Sequence, residues 1–333
     1  MEEGPCSASG GANSSRLLAA RWRGRSRRAL QQRERVRRVG VLAGAALESD
    51  PAAQTQIAVY REGLAKLGWM EGRNLDLDFR FGGGDRDRIR AYAAELVRLA
   101  PDAIVTITLA ATLAVQEHTH TTPIIIAGAG DVATNRLVRN IARPEANITG
   151  VTNLFGSIGG KWLELLKEAV PTLNRVSFLG TGGVSSYRSS IEVASHALSV
   201  QMIEIQYRSA VQLVRAIDAF AAQPNGGLIV GPATTRIDVG TILELATQYR
   251  LPTIHAAREF AKNGGLISYG SNIPDLWRRV PFFIDRILRG TKVSDLPVEF
   301  PTTFQLVINL KTAKAIGIEI PPMLLARANE VIE

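Results

Sequence analysis

From Arg38 onward the chain repeats one pattern: a short run of β-branched and aliphatic residues, a loop of small residues, then a longer stretch with apolar positions three and four apart. Consecutive units of that kind can bury their strands only in parallel sheets covered by helices. The expected strands of the first half lie at 39–43, 75–81, 102–108, 124–126 and 148–153. Helices are expected at 54–67, closed by Gly68, at 110–118, and after Asp85, where Ile89, Tyr92, Ala93, Leu96 and Val97 share a face. Strand 75–81 alternates Leu75, Leu77, Phe79 and Phe81 with charges, as a half-exposed strand does.

The segment 123–153 marks the change of lobe. Its strand breaks into Gly128, Ala129, Gly130 and Asp131, after which Val132, Leu137, Val138 and Ile141 return at helical spacing. A helix capped by Asp131 and ended at Arg143 and Pro144 is expected there, followed by the fifth strand. The second half repeats the pattern. Strands are expected at 175–179, 202–207, 227–230, 253–255 and 266–269, extended chain at 296–300 and 304–310, and helices at 155–170, 187–198, 211–222, 237–249, 275–288 and, closing the chain, 323–332. The fold class is α/β, two doubly wound parallel-sheet lobes with a hinge. One lobe comprises 38–152 plus 271–303 and the other 153–270 plus 304–333, behind a basic tail at 1–37.

A length of 333 residues and a hydrophobic content of 46% suit two cores of this kind. No apolar run reaches the roughly 18 residues of a membrane span. The net charge of +8 suggests nucleic acid until it is located: residues 1–38 hold ten arginines against Glu2, Glu3 and Glu34, leaving 29 basic and 28 acidic side chains elsewhere. The folded part is therefore almost neutral and offers no nucleic-acid face. The single cysteine, Cys6, lies in the tail and excludes an internal disulfide and any cysteine-based metal site or nucleophile in the core.

Several segments carry a more specific resemblance: RRVGVLAG at Arg37, YREGLAKLGWMEGRNLDLDFRF at Tyr60, IARPEANITGVTN at Ile141, GGKWLELLKE at Gly159, QPNGGLIV at Gln223, GGLISYG at Gly264, and the run from Phe300 to the end. In these the chain resembles the solute-binding proteins of ABC importers with the type I periplasmic-binding fold, in the family related to tryptophan and tyrosine binders. The resemblance covers residues 36–333 and implies a periplasmic, monomeric protein that closes two lobes on a small polar solute, an amino acid or an aromatic or small carboxylate, and delivers it to an ABC permease. It implies no cofactor, no metal and no catalysis.

Ligands of open α/β sheets bind beyond the strand carboxyl ends. That rule selects the loops at 44–50, 109–112 and 128–132 in the first lobe, and at 180–186, 231–235 and 255–259 in the second. The candidate ligand-binding residues are Ala45, Leu109, Ala110, Ala111, Asp131, Ser185, Ser186, Thr234 and Thr235, with Asn153, Tyr269 and Ser271 at the lobe crossings. Asp131 can meet a ligand amine or simply cap its helix. The serine and threonine hydroxyls, with free amides at helix starts, suit a carboxylate or serve as caps alone.

Other signals are weaker. Gly180–Thr181–Gly182–Gly183 is a fragment of a dinucleotide fingerprint whose third glycine position holds Ser185, with Glu204 as a coincidental ribose acceptor. His255 and Glu259 lack a partner histidine, since His118, His120 and His196 are scattered, and no nucleophile–base pair is visible. Trp162 and Trp277 read as lobe packing and Trp69 as a lid over the core. Two other classes use related architecture. A ligand-sensing regulator would need a DNA-reading domain larger than the tail, and a doubly wound enzyme would need a convergent acid–base pair.

The tail cannot bury enough apolar surface to order itself and is expected to be disordered, with a transient helix near 29–37. An export signal needs an apolar run of about 7–15 residues, and the tail's best stretch is 17–20. Family members usually begin with an apolar leader ending in a segment such as WPLAARAQQ. Codons for Trp-Pro-Leu-Ala-Ala-Arg-Ala read one nucleotide out of phase give Arg-Gly-Arg-Ser-Arg-Arg-Ala, the sequence at 23–29. The expectation is a misread leader on an exported protein. A gene sequence upstream of Arg38 with no frame encoding an apolar stretch would overturn it, and a genuine tail would keep the chain in the cytoplasm.

Overall fold

The strand–helix pattern builds two separate sheets. A computed structural model describes residues 35–130, 132, 137–153, 155–180, 186–232 and 236–333 with Met1 and Gly4, and of Ser186, Arg236 and Ile237 the backbone alone. The tail at 5–34 and the candidate residues Asp131, Ser185, Thr234 and Thr235 lie outside the described residues, as does the 181–185 glycine loop.

The first sheet contains β1 (Arg37–Ala43), β2 (Leu75–Phe81), β3 (Ala103–Ile107), β4 (Ile124–Ala127) and β5 (Ile148–Val151), in the order β2-β1-β3-β4-β5 with every pairing parallel. Helices α1 (Pro51–Lys66), α2 (Arg86–Arg98) and α3 (Leu109–Gln116) connect its strands. The interior strands β3 and β4 are apolar apart from Thr106 because helices cover both their faces. At the edge, β2 alternates: Leu75, Leu77 and Phe79 join Val39, Val41 and Tyr60 in one core, while Asp76 and Asp78 meet Arg38. Asp85 opens α2 by accepting the Asp87 and Arg88 amides, both at 2.9 Å.

The second sheet contains β6 (Arg175–Gly180), β7 (Gln201–Gln206), β8 (Gly226–Val230), β9 (Thr253–His255), β10 (Ile267–Ser271), β11 (Phe304–Asn309) and β12 (Glu330–Ile332), in the order β12-β11-β10-β9-β8-β6-β7. Its helices are α4 (Ile158–Ala169), α5 (Ser186–Ala197), α6 (Ala210–Ala221), α7 (Arg236–Gln248), α8 (Arg258–Lys262), α10 (Leu310–Ile316) and α11 (Pro322–Leu325). Helix α9 (Ile273–Leu288) follows β10 but packs on the first sheet, burying Val280, Phe283, Ile284 and Leu288 against Val39 and Tyr60. Gly63 of α1 makes the close approach possible, since a Cβ there would lie 2.6 Å from Pro281 Cγ. Trp69 covers this junction, donating to Asp285 Oδ1 at 2.9 Å, and Arg289 donates to the same oxygen at 2.5 Å.

Three expectations need correction. No helix forms among the described residues 137–147: Leu137 and Val138 are buried directly from a turn-rich segment. The Asn140 side chain takes the Arg143 amide at 3.1 Å and the Ile141 carbonyl takes the Val298 amide at 2.9 Å, so groups a helix would need are engaged elsewhere. The closing segment is not one helix. After α11 the chain turns into β12, because β11 has an unpaired edge and Asn329 bridges to it through both its amide and its side chain, each 2.8 Å from Leu306. Finally, β10 and β11 run antiparallel, so the second sheet is mixed. The short helices α8 and α10 add to the expected set; α10 is capped by Asn309 and closed by Gly317 at φ +76°.

Three crossings join the sheets, at 151–157, 271–273 and 299–304. The first and third pair through the Glu299 amide to Gly150 and the Thr152 amide to Glu299, both 2.9 Å, and the second joins the third where the Asn272 amide reaches Thr303 at 3.1 Å. No helix among the described residues is long and apolar enough to cross a membrane.

Candidate functional site

The first lobe's rim is made by the ends of β1, β3 and β4. Thr108, just past β3, has φ +98°, a region that a β-branched residue occupies only under strain. Its surroundings fix it: Thr108 Oγ1 accepts the Ala111 amide at 3.3 Å, and its carbonyl accepts Thr112 Oγ1 at 3.0 Å. The Thr112 hydroxyl is also 2.8 Å from that of Thr106. Gly44 ends β1 against this turn, its amide donating to the Ile107 carbonyl at 3.0 Å. A Cβ on Gly44 would lie 2.3 Å from Thr108 Oγ1, so only glycine fits. Ala45 and Ala110 are exposed and Leu109 half-buried, whereas Ala111 is wholly buried in the core.

Beyond β4, Gly128 and Gly130 adopt φ +94° and +71°, conformations open to glycine. The Gly130 amide donates to Asn153 Oδ1 at 2.9 Å, and the Thr152 hydroxyl donates to the Gly130 carbonyl. The Ser271 hydroxyl donates to the Asn153 carbonyl, tying the first crossing to the second. Of the predicted residues, Asn153 and Ser271 therefore meet at the crossings beside Gly130, while Ala45 follows β1 and Leu109 and Ala110 open α3 after β3.

The second lobe contributes aromatic rings. Trp162 of α4 is fully buried and donates through Nε1 to the Tyr269 carbonyl at 2.7 Å. Tyr187, in the first turn of α5, leans on it with ring centroids 5.5 Å apart. A Cβ on Gly130 would lie 3.7 Å from Tyr187 Oη, so the two lobes approach each other at this point. Tyr269, half-buried, stacks on Phe304 at 5.7 Å, and Phe304 meets Phe155 edge-on at 5.6 Å. Ser186 opens α5. In β9, His255 stacks on Phe260 with ring centroids 5.1 Å apart and is buried, its pKa pushed down to about 4 because burial disfavours the imidazolium. The neutral ring accepts the Ala257 amide on Nδ1 at 2.8 Å and bonds the Gly231 backbone, linking the loops after β9 and β8.

The described rims thus hold backbone amides, hydroxyls, a carboxamide and aromatic faces, groups that recognise a solute without breaking a bond. No cluster of three or more metal-ligating side chains occurs among the described residues. His118, His120 and His196 are exposed, and Glu204 pairs with Arg188 at 3.3 Å. A groove of about 280 Å³ opens at the outer edge of the first sheet, lined by Leu47 and Glu48 of the expected 44–50 loop with Phe79, Arg80, Phe81, Arg88 and Tyr92; none of the individual candidate ligand-binding residues lines it. Thr108 and Tyr187 were not singled out from sequence, whereas Gly130 falls in the expected 128–132 loop and His255 in the expected 255–259 loop, where it was weighed only as a metal ligand. A positive φ at threonine has no local signature, and Tyr187 resembled any aromatic on a helix face.

Two α/β lobes joined by three crossings, with strand ends and aromatic rings drawn together between them, define the class of two-lobe solute-binding proteins. A family profile described as ABC transporter substrate binding protein matches residues 41–332, and the chain belongs to that family. The family implies a small-molecule ligand and a transporter permease as partner. Among relatives, a tyrosine-binding protein of Clostridioides difficile is 22% identical over 271 residues, covering 78% of this chain and 76% of the relative. The fold is shared with the ABC domain in complex with L-Trp from Streptococcus pneumonia (TM-score 0.79, 23% identity, 89% of this chain and 100% of that one). It is also shared with the ligand-free, open substrate binding protein with adhesive properties from Clostridium difficile (TM-score 0.69, 21% identity, 90% and 99%).

Proposed function

We propose that this substrate-binding protein captures an aromatic amino acid between the lobes 38–152 plus 271–303 and 153–270 plus 304–333. It acts as an exported, periplasmic monomer without catalysis, cofactor or nucleic acid. The observation that carries the ligand class is the pairing of a small, amide-bearing rim (Gly44, Ala45, Ala110, Gly130) with an aromatic wall (Tyr187, Trp162, Tyr269, Phe304). A carboxylate and an ammonium suit the amides, hydroxyls and carbonyls of the rims, and a planar side chain suits the rings. The names of the relatives that bind tyrosine and L-Trp support the same class. Asn153, Ser271 and Tyr269 serve the hinge side of this site, while Asp131, Ser185, Ser186, Thr234, Thr235, Leu109 and Ala111 complete the proposed set of binding and supporting positions.

Thermal unfolding of the full chain against amino acids, aromatic acids, small carboxylates and sugars tests the proposal. A ligand at about 100 times its dissociation constant adds on the order of 2.7 kcal/mol. Melting shifts confined to L-tryptophan, L-tyrosine and L-phenylalanine are expected. A shift with sugars alone would overturn the ligand class.

A further inference from the structure

Tyr187 is anchored by its own lobe yet reaches the other. Its ring rests on Trp162, which burial and the bond to the Tyr269 carbonyl hold in place. Its carbonyl accepts Ser190 Oγ at 2.8 Å, and that hydroxyl also lies 2.5 Å from the Gly156 carbonyl and receives the Gly160 amide at 3.1 Å. Helices α4 and α5 are thereby locked where Tyr187 projects. Gly159 admits the approach, since a Cβ there would lie 2.4 Å from the Tyr187 carbonyl oxygen. The hydroxyl end approaches Gly130 of the first lobe, where a Cβ would lie 3.7 Å from it and whose amide and carbonyl are held by Asn153 and Thr152. A contact between two lobes exists only while they are together, so its free energy belongs to the closed state alone.

We propose that Tyr187 is a positioning residue of the closed state: a propped aromatic post that meets the Gly130 turn across the cleft and sets how long a captured solute is held. This rests on the two-lobe binding reading above. It adds a residue whose loss should change release far more than capture, because encounter occurs with the lobes apart.

The test uses the full chain with Cys6→Ser and one spin label in each lobe, at exposed Leu113 and Val211 (43% and 61% exposed), each changed to cysteine. Inter-label distances are measured by pulsed electron resonance with and without L-tryptophan and L-tyrosine, and release rates by stopped flow. Tyr187→Leu keeps apolar bulk on Trp162 and removes the reach to Gly130; Tyr187→Phe removes the hydroxyl alone and covers the case in which the leucine variant does not fold. With Tyr187→Leu, longer inter-lobe distances and release faster by about tenfold or more are expected, with association changed less than about twofold. Tyr187→Phe should move both readouts the same way by less. A lowered melting temperature with unchanged distances and release would mark a merely structural role and overturn the proposal. If neither amino acid binds the wild-type chain, the aromatic-ligand reading fails by itself. The unliganded distances then decide the post: longer in the variant supports it, and superposition with wild type overturns it.

Discussion

The first lobe ends its strands at the cleft in Gly44, Ala45, Ala110, Gly128 and Gly130; the second brings Tyr187 and Tyr269 there, backed by Trp162. The small rim is held by backbone bonds, by the positive φ of Gly128 and Gly130, and by the close approach of Gly44 to Thr108. The aromatic wall is held by packing and by buried polar contacts such as Trp162 to the Tyr269 carbonyl. The first should therefore fail when a side chain is added and the second when one is removed. Two lobes of the same strand–helix construction have reached rigidity by opposite means.

The largest effect should come from removing the wall's anchor. Trp162→Ala empties a fully buried site and orphans the Tyr269 carbonyl, a loss of about 3–5 kcal/mol. Trp162→Phe, which keeps most of the ring and loses the N–H, should cost about 1–2 kcal/mol. Urea unfolding of both variants measures the difference. A cost below about 1 kcal/mol for the alanine variant would break the contrast between the lobes.

Acid should also weaken the second lobe. His255 has its pKa lowered from 6.5 to about 4, so between those values the unfolded chain binds the proton and the folded chain does not. Stability contributed by the neutral ring is fully present above pH 6.5, declines as pH falls, and is lost by about pH 4. The total is about 3 kcal/mol. Unfolding measured from pH 7.5 to 4 should show this slope in the wild type and lose it in His255→Gln.

The first lobe is tested by addition. Gly44→Ala forces a Cβ against Thr108 Oγ1 and should cost about 2 kcal/mol. Thr108→Gly removes both the obstructing hydroxyl and the strain at φ +98°, at the expense of a cap, and should change stability by less than about 1 kcal/mol. Combined, the two should cost at least about 1 kcal/mol less than the sum of the single changes. Strict additivity in chemical unfolding would show that the Gly44–Thr108 approach is not what sets the rim.

The same contrast explains what could be read in advance. Strand 75–81 was legible to the residue and 227–230 to within one residue, because burial imposes alternation on the first and an apolar run on the second. The expected helix after Asp131 was not, because apolar spacing there reflects single side chains dropping into a core from a turn, with Asn140 and Val298 taking the backbone groups. Strand β12 was hidden because its partner edge on β11 is 23 residues away and no short-range pattern announces it. Asn153 and Ser271 could be placed at crossings by counting strands, but the Ser271 bond to the Asn153 carbonyl spans 118 positions and belongs to tertiary structure. Tyr187 was overlooked because its importance lies in what faces it from the other lobe.

The smallest effect should arise at the third crossing. Arg279 and Glu299 form a two-pronged pair at 2.6 and 2.7 Å, and the carboxylate raises the Arg279 pKa. Both side chains are substantially exposed, so water and salt screen the pair. The crossing itself is held by the Glu299 backbone, which a side-chain change leaves intact. Glu299→Gln should therefore cost less than about 1 kcal/mol, with most of that cost gone at 1 M salt. If melting instead falls by an amount matching 2 kcal/mol or more, insensitive to salt, the crossings would have to be counted with the aromatic wall as side-chain-held. The two-way contrast between the lobes would then need a third, ionic element at the hinge.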